Sequence, residues 1–118
     1  METNKAVMAF SQSEKIKAGL IWVSQILEFM GGLPAEQRRG SEKSALALLR
    51  MVAQETALAK AITGHEDWQV SESFIEKALV MLESGIGEEA MLQIARALSK
   101  VTNVGQQAMS QLKEAGLL

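Results

Sequence analysis

The chain has 118 residues, 47% of them hydrophobic and 22% charged, with a formal net charge of −2. That length supports one domain with its own core, and that composition excludes a disordered chain. There is no cysteine, which excludes disulfides, thiolate metal sites and cysteine nucleophiles and suits a reducing compartment.

Charge is unevenly spread. The first sixty residues carry eight basic and six acidic groups, and the remainder four and eight. Residues 61–92 hold seven acids with Lys77 as the only base. A nucleic-acid surface needs a concentrated basic face, and none stands out. The polar opening Met1-Glu-Thr-Asn-Lys does not resemble a secretory signal. No run approaches about 18 apolar residues, so no membrane span is expected. The expectation is a soluble, cytoplasmic protein forming a single domain over residues 1–118.

Residues 1–12 hold an apolar cluster, Ala6 to Phe10, readable as a frayed turn or an extra N-terminal helical segment, with Phe10 able to anchor it. Ser11-Gln-Ser-Glu14 matches a capping box. It introduces a helix over about 12–30, with a core stripe of Ile16, Leu20, Val23, Leu27 and Met30 at three- and four-residue spacing. Ala18, Trp22 and Phe29 form a second stripe. Trp22 and Phe29 lie either at the rim of the core or on a surface that contacts another chain.

Gly31-Gly32-Leu33-Pro34 ends this helix, with glycine suited to a left-handed cap. Ser41 is a plausible N-cap for a second helix over about 41–63. Its centre, Ser44 to Ile62, is the most apolar run in the chain. Leu46, Leu49 and Ala53 form one stripe, and Leu48, Met51, Leu58 and Ile62 another. Lys43, Arg50 and Gln54 share a narrower strip with Ala47, Ala57 and Ala61. An apolar arc of roughly 240° at about 100° per residue is wider than one packing partner needs.

Gly64 closes the second helix. His65-Glu-Asp-Trp-Gln follows, with the chain's only histidine. Three adjacent residues cannot readily converge on one metal, so this reads as a structural loop. Trp68 would plug the end of the bundle, and Asp67 or Ser71 would cap a third helix over about 71–84. Phe74, Ile75, Ala78, Leu79, Met81 and Leu82 face the core there, and Glu72, Glu76 and Glu83 face water. Gly85-Ile-Gly87 is a short link, so the fourth helix, about 88–113, returns antiparallel. Ala90, Ile94, Ala97, Val101, Val104 and Ala108 make a heptad seam of mostly small residues, which implies a close neighbour. Gly105 costs about 1 kcal/mol inside a helix and is expected where a side chain would clash. Glu89, Gln93, Arg96, Lys100, Asn103, Gln107 and Ser110 read as the solvated face. The expected fold is all-α, an up-down-up-down four-helix bundle.

No catalytic motif stands in the chain. Di-iron bundles need Glu-x-x-His pairs, a phosphate loop needs glycines ending in Lys and Ser or Thr, and no serine sits in a nucleophile elbow. A phosphoacceptor role for His65 is disfavoured by its place just after a cap glycine. No cofactor or metal is expected. The leading expectation is a non-enzymatic protein acting by association as a homodimer, adaptor or small subunit. Trp22, Phe29, Leu48, Met51, Leu58 and Ile62 are its candidate interface. The alternative is a bundle holding a small apolar ligand near Trp22, Phe29, Met51 and Trp68. A third reading is a subunit of a nucleoprotein complex, with Arg38, Arg39 and Lys43 as weak anion contacts. Nucleic acid and membrane partners are not favoured.

Overall fold

The computed structural model describes residues 1–118 and contains four helices and no strand: α1 Thr3–Gly31, α2 Ala35–Thr63, α3 Glu66–Glu83 and α4 Gly87–Glu114. Each packs on its neighbours in the order α1, α2, α3, α4 and back to α1. The links are two or three residues long, so successive helices are antiparallel. The bundle measures 53 × 22 × 18 Å.

The stripes fall where helical period puts them. Ile16, Leu20, Val23, Leu27 and Met30 are buried, as are Leu49 and Val52 of α2, Ile75, Ala78 and Leu82 of α3, and Ala90, Ile94, Ala97, Val101, Val104 and Ala108 of α4. Phe10, Leu46, Ala53, Phe74, Leu79 and Met81 pack half-buried against this core. Two glycines set the spacing. A Cβ on Gly19 would lie 2.6 Å from Val52 Cγ2, and one on Gly105 would lie 2.7 Å from Ser13 Oγ. The Val52 and Ser13 side chains therefore occupy the space that a Cβ would need at either point.

Three helices begin earlier than expected. α1 starts at Thr3, so Ser11 to Glu14 lies inside it and caps nothing. Ser13 is buried, with its hydroxyl donating to Phe10 O at 2.7 Å. Ala6 and Ala9 are fully buried, and this burial holds the N-terminal segment in the helix. α2 starts at Ala35, directly after Pro34, whose extended backbone ends the turn; Gln37 N donates to Pro34 O at 2.9 Å. Gly40 and Ser41 are interior positions of that helix.

α3 starts at Glu66, and its cap is His65 rather than Asp67 or Ser71. His65 Nδ1 accepts from Asp67 N at 3.1 Å, with Glu66 and Asp67 in the first turn, where acids oppose the helix dipole. Ser71 is interior and donates to Asp67 O. α4 extends from Gly87 to Glu114.

The glycine turns divide two ways. Gly64, Gly85 and Gly116 adopt positive φ, whereas the α1 end turns through Gly32 at φ −90 without a left-handed residue. At Gly85 the cap is complete. Ile86 N donates to Met81 O and Gly85 N to Leu82 O, satisfying carbonyls that the helix end leaves free.

Candidate protein-interaction face

One face of the bundle keeps large apolar side chains in solvent. On α1, Trp22 is 57% exposed and Phe29 68%; on α2, Met51 is 60%, Leu58 50% and Ile62 36% exposed. Leu48 is half-buried. Trp22, Leu48 and Met51 line one shallow groove of about 210 Å³ between the helices, together with Gly19 and Val52. At the floor of the groove Gly19 makes room for the Val52 side chain, while the larger side chains stand out on either side. Phe29 lies two turns from Trp22 along α1. Leu58 lies two turns from Met51 in the opposite sense along the antiparallel α2. Trp22 and Phe29 are thus largely exposed, and Trp22 stands beside the core residues Ile16 and Val52 that also line the groove.

The lower border of the groove is polar and fixed. Gln12 Nε2 donates to Glu55 Oε2 at 3.0 Å, and Lys15 Nζ lies 3.0 Å from Glu55 Oε1. The Gln12 amide, and then the Lys15 ammonium, hold the Glu55 carboxyl below its ordinary value of 4.5. These contacts clamp α1 to α2 beside the apolar groove.

α2 carries a feature that the wheel hid. Between Arg50 and Glu66 every exposed residue is uncharged: Met51, Gln54, Ala57, Leu58, Ala61, Ile62 and Gly64. The expected arc counted the alanines here as part of a polar strip. In the folded chain they join Met51 and Leu58 in a strip of uncharged exposed residues, bordered by the partly exposed Glu55 and Lys60.

No protein-family model, curated protein or solved structure matches this chain. The chemistry of the face is therefore read from its own residues.

The remaining candidates lie elsewhere. Arg38 Nε donates to Leu33 O at 2.8 Å, pinning the first turn of α2 to the preceding turn. Arg38, Arg39 and Lys43 border a surface cleft that also contains Glu42 and Glu83, so acids dilute the basic group. Trp68 is fully buried, its indole donating to Thr63 Oγ1 at 2.9 Å. It does not share the groove with Trp22 and Met51, so the four residues named for a ligand pocket do not converge. His65 is occupied by its cap and by Gln107 Oε1, 2.7 Å from Nε2. With Nδ1 accepting, Nε2 carries the proton and donates.

Two polar positions differ from expectation. Glu72 does not simply face water: it is half-buried, and Lys60 Nζ lies 2.9 Å from its Oε1. Gln93, expected on the solvated face of α4, is buried. Val80 and Leu92 are exposed apolar side chains outside the candidate set. Val80 lies within the apolar run Ala78 to Leu82 and Leu92 directly follows Met91, so the sequence carries no separate signal that these two side chains stay in solvent.

Proposed function

We propose that this chain acts by protein–protein association rather than catalysis, through the outer face of the α1/α2 hairpin. The observation that carries the reading is the set Trp22, Phe29, Met51, Leu58 and Ile62, all exposed on adjoining helices. Aromatic and methionine side chains with few charges are the composition of an interface core. A second copy is the simplest partner, because a two-fold pair covers the same face on both chains. The absence of cysteine fits a working place in the reducing cytoplasm.

Sedimentation across the micromolar range tests the reading. The expected species has twice the 12.8 kDa chain mass, and Met51→Glu returns it to a single chain with unchanged helix content. A wild-type chain that stays monomeric throughout would overturn self-association.

A further inference from the structure

Resting on the association reading above, we infer that the partner is a second copy of this chain, docked α2 against α2 in antiparallel register with Gln54 on the two-fold axis.

The first support is spacing. Gly40, Ser44, Ala47, Met51, Gln54, Leu58 and Ala61 are all exposed and follow steps of four and three without a break. That is the spacing by which a helix meets another helix. The seam runs along the solvent side of α2, opposite Ala45, Leu49, Val52, Thr56 and Ala59, which face the core. α2 therefore carries two helix-packing faces, and the chain's own helices use one of them.

The second support is self-complementarity. About Gln54 the seam reads small, large, polar, large, small: Ala47, Met51, Gln54, Leu58, Ala61. An antiparallel two-fold pair centred there sets Ala47 against the second copy's Ala61. Met51 then meets Leu58 of the second copy beside the Trp22 groove. The alanines let the backbones close, and Met51 and Leu58 fill the space between them. Each Gln54 amide donates an N–H to the other's carbonyl oxygen, so neither is stranded when water leaves. One polar side chain at a seam position is a known means of fixing register.

The third support is size. From Gly40 to Ile62 the face is about 33 Å long at 1.5 Å per residue. Two helices make it about 20 Å wide. Its area is then about 660 Å², near the roughly 800 Å² per partner of a stable interface.

The chain has no cysteine, so single-cysteine variants report register without background. The tests are Gln54→Cys, Ala47→Cys and Ala61→Cys, each oxidised at micromolar concentration and run without reductant. Gln54→Cys is expected to form a disulfide-linked dimer that reductant reverses. Ala47→Cys alone and Ala61→Cys alone are expected to remain uncrosslinked, because antiparallel docking sets like positions about 21 Å apart, beyond disulfide reach. An equal mixture of the two is expected to crosslink. All three sites are exposed, and helix content by circular dichroism verifies that each variant folds. A wild-type dimer whose Gln54→Cys variant does not crosslink, or whose Ala47→Cys variant crosslinks alone as a parallel pair would, overturns this packing and leaves association standing. A wild-type monomer removes both.

Discussion

Gly105 of α4 and Ser13 of α1 meet where a Cβ would lie 2.7 Å from the serine hydroxyl. That approach outweighs helix propensity, because alanine would favour an isolated helix by about 1 kcal/mol. Gly105→Ala is expected to destabilise the fold by about 1–3 kcal/mol through overpacking. Ser13→Ala removes the clashing oxygen, so the double variant should recover much of the loss in a double-mutant cycle. Gly40, with nothing within 4 Å of its Cβ position, is the control: Gly40→Ala should stabilise by up to about 1 kcal/mol. Urea unfolding of the four variants measures all of this. Additive effects at Ser13 and Gly105 would contradict the packing.

The link between α2 and α3 depends on two hydrogen bonds that a single hydroxyl and a single imidazole supply. Thr63→Val keeps the shape but leaves the buried Trp68 N–H without its partner, which should cost about 1–3 kcal/mol. Thr63→Ser keeps the oxygen and should cost less, about 0.8 kcal/mol for the lost methyl. His65→Ala removes the cap on Asp67 N at about 1 kcal/mol, and His65→Asp should restore most of it. Thermal melts separate these cases. Equal losses for Thr63→Val and Thr63→Ser would mean that the hydroxyl is not what matters.

Much of this architecture is legible in the sequence because one period governs it. Ile16 to Met30 and Ala90 to Ala108 are buried stripes readable by counting threes and fours, and Gly105 betrays a close neighbour by its helix cost. Helix starts are less legible, because the deciding contacts are distant in sequence. Ser11 to Glu14 has a capping pattern, yet the burial of Ala6 and Ala9 carries the helix through it. His65 is missed as a cap because histidine is not among the residues that usually fill that role. At the face, the wheel separates the stripe of Met51, Leu58 and Ile62 from the core stripe. Whether another helix covers it depends on where α1 and α3 come to rest. Ala47 and Ala61 look like filler until the fold leaves them in solvent beside Met51 and Leu58.

The Glu55 clamp predicts a pH dependence with a definite sign. Its carboxyl is held below its ordinary value of 4.5 by Gln12 and Lys15, so the folded state binds that proton less readily than the unfolded chain. The resulting stability is fully present above 4.5 and is lost as pH falls through the lower folded-state value. Glu55→Gln never ionises and lacks this contribution. Wild type should therefore be the more stable at pH 7, and the two proteins should converge under acid. Urea midpoints at neutral pH and near pH 3 test the point. A gap of constant size at both would show that ionisation of Glu55 is not its source.

The two tryptophans give the exposed face its own readout. Trp68 is fully buried, whereas Trp22 is 57% exposed beside Met51. Acrylamide quenching of the dilute chain should therefore report mainly Trp22. As concentration rises and the face is covered, quenching should fall and emission should shift to the blue. Trp22→Phe removes that dependence, leaving only the protected Trp68 signal. Met51→Glu keeps Trp22 accessible at every concentration, because a carboxylate on the seam disfavours docking. As a surface substitution it should change the stability of the single chain by no more than about 0.5 kcal/mol. Quenching of wild type that does not change with concentration would mean that Trp22 lies outside any self-association surface, and the interface would then have to be sought around Val80 and Leu92.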